Sequence, residues 1–372
     1  MLDGVRLTLL LGPRKPVPAP ASLIEALSSV EVVHNDDDRS GFTATFQLDP
    51  SRGGAVRKVG QSLLAAEGRF RLLVSLAGRP RALLDGVITQ QQLSRSSDAG
   101  GSTLTVTGED LGALMDRKSR QHAHAAPDLA AVVTRTLADY ESAGVLAKVV
   151  PLAAAGAGAE EELFSQNSSD YAFLRDLAGR YGYSFHLSPH EAGSLAYWGP
   201  PLRGPAKQRA ISVDFGPATN IQSIQFRYDS LGPERVTGYV LDPNTNALVP
   251  VSSDGDLGAP LSREGATRGP ATIARGARVL GPSRSVADAM ARARGHARSR
   301  QDALVAEGEL DLARYGELLQ VRSLVGVRGA GAEHDGLYAV KQVRHQIRRG
   351  GHTMRFTLHR EGFGTTVPGV RT

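Results

Sequence analysis

Residues 335–358 read DGLYAVKQVRHQIRRGGHTMRFTL, and residues 85–108 read DGVITQQQLSRSSDAGGSTLTVTG. Laid side by side without a gap, they share Asp85/Asp335, Gly86/Gly336, Gln92/Gln342, Gly100/Gly350, Gly101/Gly351, Thr103/Thr353 and Thr107/Thr357. Val87/Leu337, Leu93/Val343, Leu104/Met354 and Val106/Phe356 agree in kind. In each stretch the segment after a Gly-Gly pair alternates apolar and polar residues as a half-buried strand does, and the pair itself marks a turn. Together they read as one β unit present twice, once near each end of the chain.

The chain has 372 residues, more than a single core usually organises, so two or three domains are expected. Hydrophobic residues make up 41% and charged residues 22%, the balance of an ordinary folded protein rather than a disordered one. Aromatics are scarce, so the core must rest on Leu, Val, Ile and Ala. There is no cysteine, which removes disulfides, thiolate metal sites and thiol nucleophiles. The opening MLDGVRLTLLLGPRKP has an early Asp3 and a short apolar run, unlike a signal peptide. No window reaches the apolar length of a membrane helix. The expectation is a protein made in the cytoplasm with no membrane insertion. The net charge of +5 comes from Arg spread along the chain, densest at 292–300 and 344–349. A nucleic-acid binder concentrates its charge further and interleaves aromatics; solvated Arg faces explain this distribution more simply.

Residues 1–109 read as β. GFTATFQLD places Phe42, Ala44, Phe46 and Leu48 on one face, with the period of a half-buried strand. RFRLLVSLAGRPRALLDGVI gives two apolar runs around Gly78-Arg79-Pro80, and STLTVTG turns Leu104 and Val106 inward. GGAVRKVGQSLLAAEG reads as a short helix between strands. Residues 110–205 change to α+β. EDLGALMDRK reads as a helix, as does APDLAAVVTRTLADYESAG, with Pro127 in its first turn and Gly144 as its stop. After a loose stretch, a helix begins near an Asn167 or Ser168 cap with Asp170 in its first turn. Its apolar stripe is Tyr171, Leu174, Leu177, Ala178 and Tyr181, read as domain core, and Gly182 ends it. YSFHL and SLAYWG then form a hairpin.

Residues 206–362 return to β, with a long excursion at 242–281 and a helix over 284–306. That helix carries Val286, Met290, Ala293, Ala297 and Leu304 on one side, with Arg284, Arg292, Arg294 and Arg298 on its flanks and back. ELLQVRSLVGV, GLYAVKQVRHQI and HTMRFTLHR read as the last strands, and 363–372 as a tail. The fold class is mainly β within α+β: two similar small β-barrels flanking an α+β middle domain.

Chemistry is sparse. VGVRGAGAEHDG is glycine-rich but joins two strands and opens no helix, so it is a turn and not a phosphate loop. His122 and His124, and the looser pair His186 and His190, lack metal-site spacing and a third ligand. No G-x-S-x-G elbow is present. Glu160–Glu162 reads as a solvated loop or helix start rather than as paired catalytic carboxylates. No catalytic, cofactor-binding or metal-ligating residue is assigned.

QNSSDYAFLRDLAGRYGYSFHL resembles a signature of the phage late control D family and the N-terminal hub region of VgrG proteins. Ser169, Asp170, Tyr171, Phe173, Leu174, Leu177, Ala178, Gly182, Tyr183 and Phe185 carry it. TVTGEDLGALMDRK resembles the family's step from first barrel to middle domain. Its closing hairpin is matched by Gly336, Tyr338, Val340, Val343 and His345. The resemblance implies a structural baseplate hub of a contractile tail or injection system, with tail-tube-like barrels and no cofactor. It implies a homotrimer whose six barrels imitate the sixfold tail tube. Expected partners are a tail-tube or tube-initiator protein above, a spike or tip protein below and other baseplate proteins, with no specific nucleic acid. No OB-fold or spike repeat is read after residue 362, so the spike is expected on a separate polypeptide. A baseplate-associated cell-wall hydrolase and a nucleic-acid-binding module are the alternatives.

Overall fold

The structure is a computed structural model that describes residues 5–13, 15–48, 63–76, 78–96, 102–126, 128–152, 162–202, 208–229, 233–242, 245–253, 259–265, 275–277 and 286–366. The first part of the chain forms β1 (Val5–Gly12), β2 (Val17–Pro18), α1 (Ala21–Ala26), β3 (Leu27–Asn35), β4 (Gly41–Gln47), β5 (Arg69–Leu76), β6 (Arg79–Ser94) and β7 (Thr103–Asp110). The middle part forms α2 (Gly112–Met115), β8 (Ser119–Ala126), α3 (Leu129–Ala138), β9 (Val145–Val149), β10 (Glu162–Ser169), α4 (Asp170–Arg180), β11 (Ser184–His190) and β12 (Gly193–Gly199). The last part opens with β13 (Ile211–Ser212), β14 (Ser223–Tyr228), β15 (Glu234–Leu241), β16 (Leu248–Ser252), β17 (Ser262–Gly265), β18 (Arg275–Ala277) and α5 (Val286–Ser299). It closes with β19 (Leu304–Asp311), α6 (Leu312–Tyr315), β20 (Leu324–Arg328), β21 (Gly336–Arg348), β22 (Gly351–Arg360) and β23 (Gly362–Thr365).

The two β parts repeat one topology. In the first, neighbouring strands run β1–β5–β6–β7–β4–β3; in the last, they run β13–β20–β21–β22–β19–β14. Taken in chain order, each strand of the first set has its counterpart in the second. One direction differs: β1 is antiparallel to β5, whereas β13 is parallel to β20.

The hairpins that opened the sequence comparison occupy equivalent places, with a slip. Each first strand carries a bulge, at Thr89 in β6 and at Lys341 in β21. Beyond it Gln90 faces Thr107, and Gln342 faces Thr357. The second strands therefore align as the ungapped comparison has them, but the first strands align two residues further on. A two-residue slip keeps every side chain on its face, so alternation could not reveal it.

Among the described residues the strands do not form two separate closed barrels. Among the described residues they join into one 13-stranded sheet, because β3 of the first set pairs with β21 of the second. One continuous core spans both sets, from Leu9, Phe42 and Phe70 to Tyr338, Met354 and Leu358. Edge pairing and apolar burial both favour that fusion, since it covers two strand edges at once.

The middle part has its own core, built on the stripe Tyr171, Leu174, Leu177 and Ala178 with Trp198, Leu137 and Phe185. Ser169, not Asn167 or Ser168, caps α4; its hydroxyl accepts from the Ala172 N–H. Residues 162–169 before it pair as β10 with β8, a strand that the sequence reading did not assign; the loose stretch read at 151–162 falls mostly outside the described residues. Asp128 caps α3 through the Ala131 N–H, and Pro127 lies outside the described residues. The helix expected from EDLGALMDRK shrinks to the single turn of α2, since β7 runs on through Asp110.

Other expectations shift in the last part. The 284–306 helix ends at Ser299; Leu304 starts β19, where it pairs with Arg360. The helix buries Ala289, Ala293 and Ala297 against Val236 and Val251. At Gly295 it meets Gly182, whose φ of 63° and close backbone leave no room for a Cβ on either residue. The excursion holds β16, β17 and β18, and the start of the expected tail forms β23 paired with β17. Within ELLQVRSLVGV only Leu324–Val327 is strand. The helix read in GGAVRKVGQSLLAAEG falls mostly outside the described residues.

Candidate interaction surface

The surface begins at the seam inside the chain. β3 and β21 pair antiparallel over seven residue pairs, from Gln342↔Asn35 to Arg348↔Ser29. On the core side Val32 meets His345 and Val30 meets Ile347, all buried. On the other side Arg344 Nη1 lies 2.7 Å from Glu31 Oε1, and Gln342 donates to Asn35 Oδ1 at 2.7 Å. The bulge turns Lys341 toward Asp36, with Nζ 2.8 Å from Oδ2. Burial opposes its charge, yet Asp36, Asp37 and Asp302 hold its pKa above the usual lysine value.

Three histidines are buried at this seam. His345 Nδ1 lies 3.2 Å from His352 Nε2, and the His34 ring stands edge-on to His345 at 5.5 Å. Burial, and then the Arg322 charge, lowers His34 to about 4. Burial lowers His352 to about 4, and it holds His345 well below 6.5 beside the other two. Nothing in the spacing of His34, His345 and His352 along the sequence flags this cluster; it exists only through strand pairing.

Among the strand edges left open in the described residues, two are the counterparts of the seam strands. β14 pairs only with β19, and the half of β6 beyond its bulge pairs only with β7. Both are exposed where β3 and the matching half of β21 are largely covered. Leu93 is 51% exposed and Tyr228 41% exposed, although each sits on the core-facing side of its strand. The sequence signal was present in TQQQLS, a strand continuation without apolar alternation, but its polarity reads equally well as a solvated end.

The opposite face of the sheet is polar. Ser223, Gln225, Glu307, Glu309, Arg344 and Arg355 line a groove of about 560 Å³. Arg355 pairs with Glu309 at 2.9 Å, and Gln225 with Glu307 at 3.1 Å. Signs alternate here, unlike the single-sign stripe of a nucleic-acid groove.

The other residues weighed in the sequence lie apart. His122 and His124 stack edge-on along β8, and His124 shares a hydrogen bond with Gln166 at 2.7 Å. His186 is buried against Tyr197, whereas His190 ends β11 exposed. Among the described residues no cluster of three His, Cys, Asp or Glu could hold a metal. Glu160 and Glu161 fall outside the described residues, as does Arg284. The VGVRGAGAEHDG stretch is the β20–β21 turn as read, closed by the Ala330 N–H on Asp335. A cavity of about 400 Å³ between the middle part and the seam is lined by His34, His186, His345 and Arg322, with no carboxylate among the described residues of its wall. Among the described residues no helix is long and apolar enough to cross a membrane.

No protein-family model matches the sequence, and no curated protein matches it. Solved structures do match. A tail protein from Neisseria meningitidis MC58 superposes with a TM-score of 0.62 at 13% identity, covering 97% of this chain and 98% of that one. The 43 kDa tail protein of prophage MuSo2 from Shewanella oneidensis gives 0.63 at 12% identity, covering 96% and 98%. The E. coli c3393 protein, a type VI secretion component described as similar to the T4 tail proteins gp27 and gp5, gives 0.54 at 12% identity, covering 93% and 76%. At such identities the likeness is one of architecture: over nearly its whole length, the chain has the fold of these phage-tail proteins and of a type VI secretion component.

Proposed function

We propose that the chain is a structural baseplate hub, a homotrimer that joins a sixfold tail tube to a threefold spike and performs no chemistry of its own. The observation that carries this reading is the doubled strand topology with its internal seam. One chain already places two equivalent strand sets side by side through β3 and β21. Three chains in a closed ring would repeat that arrangement six times. The polar sheet face, with its alternating charges, suits a water-filled lumen. The segments 1–109 and 206–362 would build the ring, and 110–205 would sit beside it to meet other baseplate proteins. A tail-tube or tube-initiator protein would dock on one rim and a spike on the other. The full-length chain, purified and measured by native mass spectrometry and electron microscopy, is expected to give trimers with six similar lobes. A monomer, or a ring of another order, in both measurements would overturn the reading.

A further inference from the structure

We infer that β14 of one protomer pairs antiparallel with the free half of β6 of the next protomer, with Arg227 opposite Gln92 and Phe226 opposite Leu93. The inference rests on the hub reading and specifies the contact that would close its ring. The internal seam is its template. Strand equivalence places Val32 at Phe226 and Val33 at Arg227, through the pairings β3–β4–β7 and β14–β19–β22. The bulges place His345 at Leu93 and Arg344 at Gln92. Because Val32 faces His345 and Val33 faces Arg344, the second seam has one register and no free parameter.

The side chains fit that register. Leu93 extends the inward row Phe46–Leu104. Phe226 extends the inward row Leu358–Ala306 of the other set. Opposed, the two rows would become one, and Leu93 would lose the exposure it has in the single chain. Tyr228 would face Gln91 on the same side. On the polar side, the places of the Arg344–Glu31 ion pair are taken by Gln92 and Gln225, which can hydrogen-bond without charge. No like charges meet among these pairs. The contact is head-to-tail, so it closes only if successive sets turn by equal amounts, as a doubled topology favours. It would also hide the two open edges, which otherwise invite indiscriminate strand addition.

The chain has no cysteine, so engineered pairs report without background. Directly opposed residues place their Cβ atoms about 4.5–5.5 Å apart, close enough for disulfide or short bis-maleimide bridging. The full-length double variant Gln92→Cys/Arg227→Cys is expected to give covalent trimers on a non-reducing gel after mild oxidation, and either single variant none. The control Gln92→Cys/Ser223→Cys is four residues out of register, about 13 Å, and should stay uncross-linked. A trimer that cross-links at 92/223, or at neither pair, overturns the seam and leaves the hub reading standing. A chain that never trimerises overturns the hub reading and the seam with it. As a second arm, Leu93→Asp puts a charge on the inward row while leaving the protomer's own core untouched. It is expected to give monomers with an unchanged far-UV spectrum; intact trimers would count against the assigned register.

Discussion

At the scale of single residues, the buried histidines have the clearest consequence. His34, His345 and His352 are neutral in the fold because burial disfavours their charged form. Their folded pKa values lie below the unfolded value of 6.5, to about 4 for His34 and His352. The stability they confer is therefore full above pH 6.5 and falls as the pH drops from there through about 4, while the unfolded chain takes up protons that the fold refuses. Each such histidine contributes a slope of about 1.4 kcal/mol per pH unit across that window. Urea midpoints measured from pH 7.5 to 4.5 should decline, and His34→Leu should flatten the decline. A midpoint constant across the window would show that these rings take up protons in the fold as readily as in the unfolded chain. Arg360 shows the opposite solution to burial. Its guanidinium donates to the carbonyls of Gly362, Asp335 and Glu333 and lies over the Tyr338 ring, so it closes the β20–β21 turn onto β22.

At the scale of elements, the β5–β6 hairpin is tied to the middle part by a buried ion pair. Arg69 Nε and Nη2 each lie 2.7 Å from an Asp85 carboxylate oxygen. Arg69 also donates to the Ala143 carbonyl, and Ser194 donates to Asp85 at 3.2 Å. Two strands of one sheet, the turn before β9 and the start of β12 thus meet in one network. Arg69→Met would keep the packing volume but leave Asp85 charged and uncompensated, a change worth about 3–5 kcal/mol. Chemical denaturation should register that loss, and the double variant Arg69→Met/Asp85→Leu should recover much of it. A single variant within about 1 kcal/mol of the parent would mean that solvent reaches the pair.

For the whole molecule, the repeat is more than a doubled element. Each strand set has two such edges: inside the chain the partner set covers one of them, at β3 and β21, and the other, at β6 and β14, stays open. If the same completion occurs between chains, folding and association are linked. The thermal midpoint should then rise with protomer concentration, because the assembled state binds copies that the unfolded chain does not. Scans over a hundredfold range of concentration should reveal the shift, and Leu93→Asp should abolish it. A midpoint independent of concentration in a protein that is trimeric across that range would place the stabilising contacts within the protomer.

The sequence by itself determined the local elements and their duplication. Alternation in GFTATFQ and HTMRFTLHR, the α4 stripe ending at Gly182 and the Gly350 turn are properties of short stretches, and they appear as read. Local pattern also carried the kinship of the two hairpins, although period-two alternation hid the two-residue slip between their first strands. Tertiary structure alone decided that β3 crosses to β21, that both strand sets share one core, and that three distant histidines meet there. It alone exposed the two unpartnered edges. The physical reason is range: alternation and capping act over a few residues, whereas strand pairing joins segments some three hundred residues apart, and no stretch of sequence specifies its distant partner.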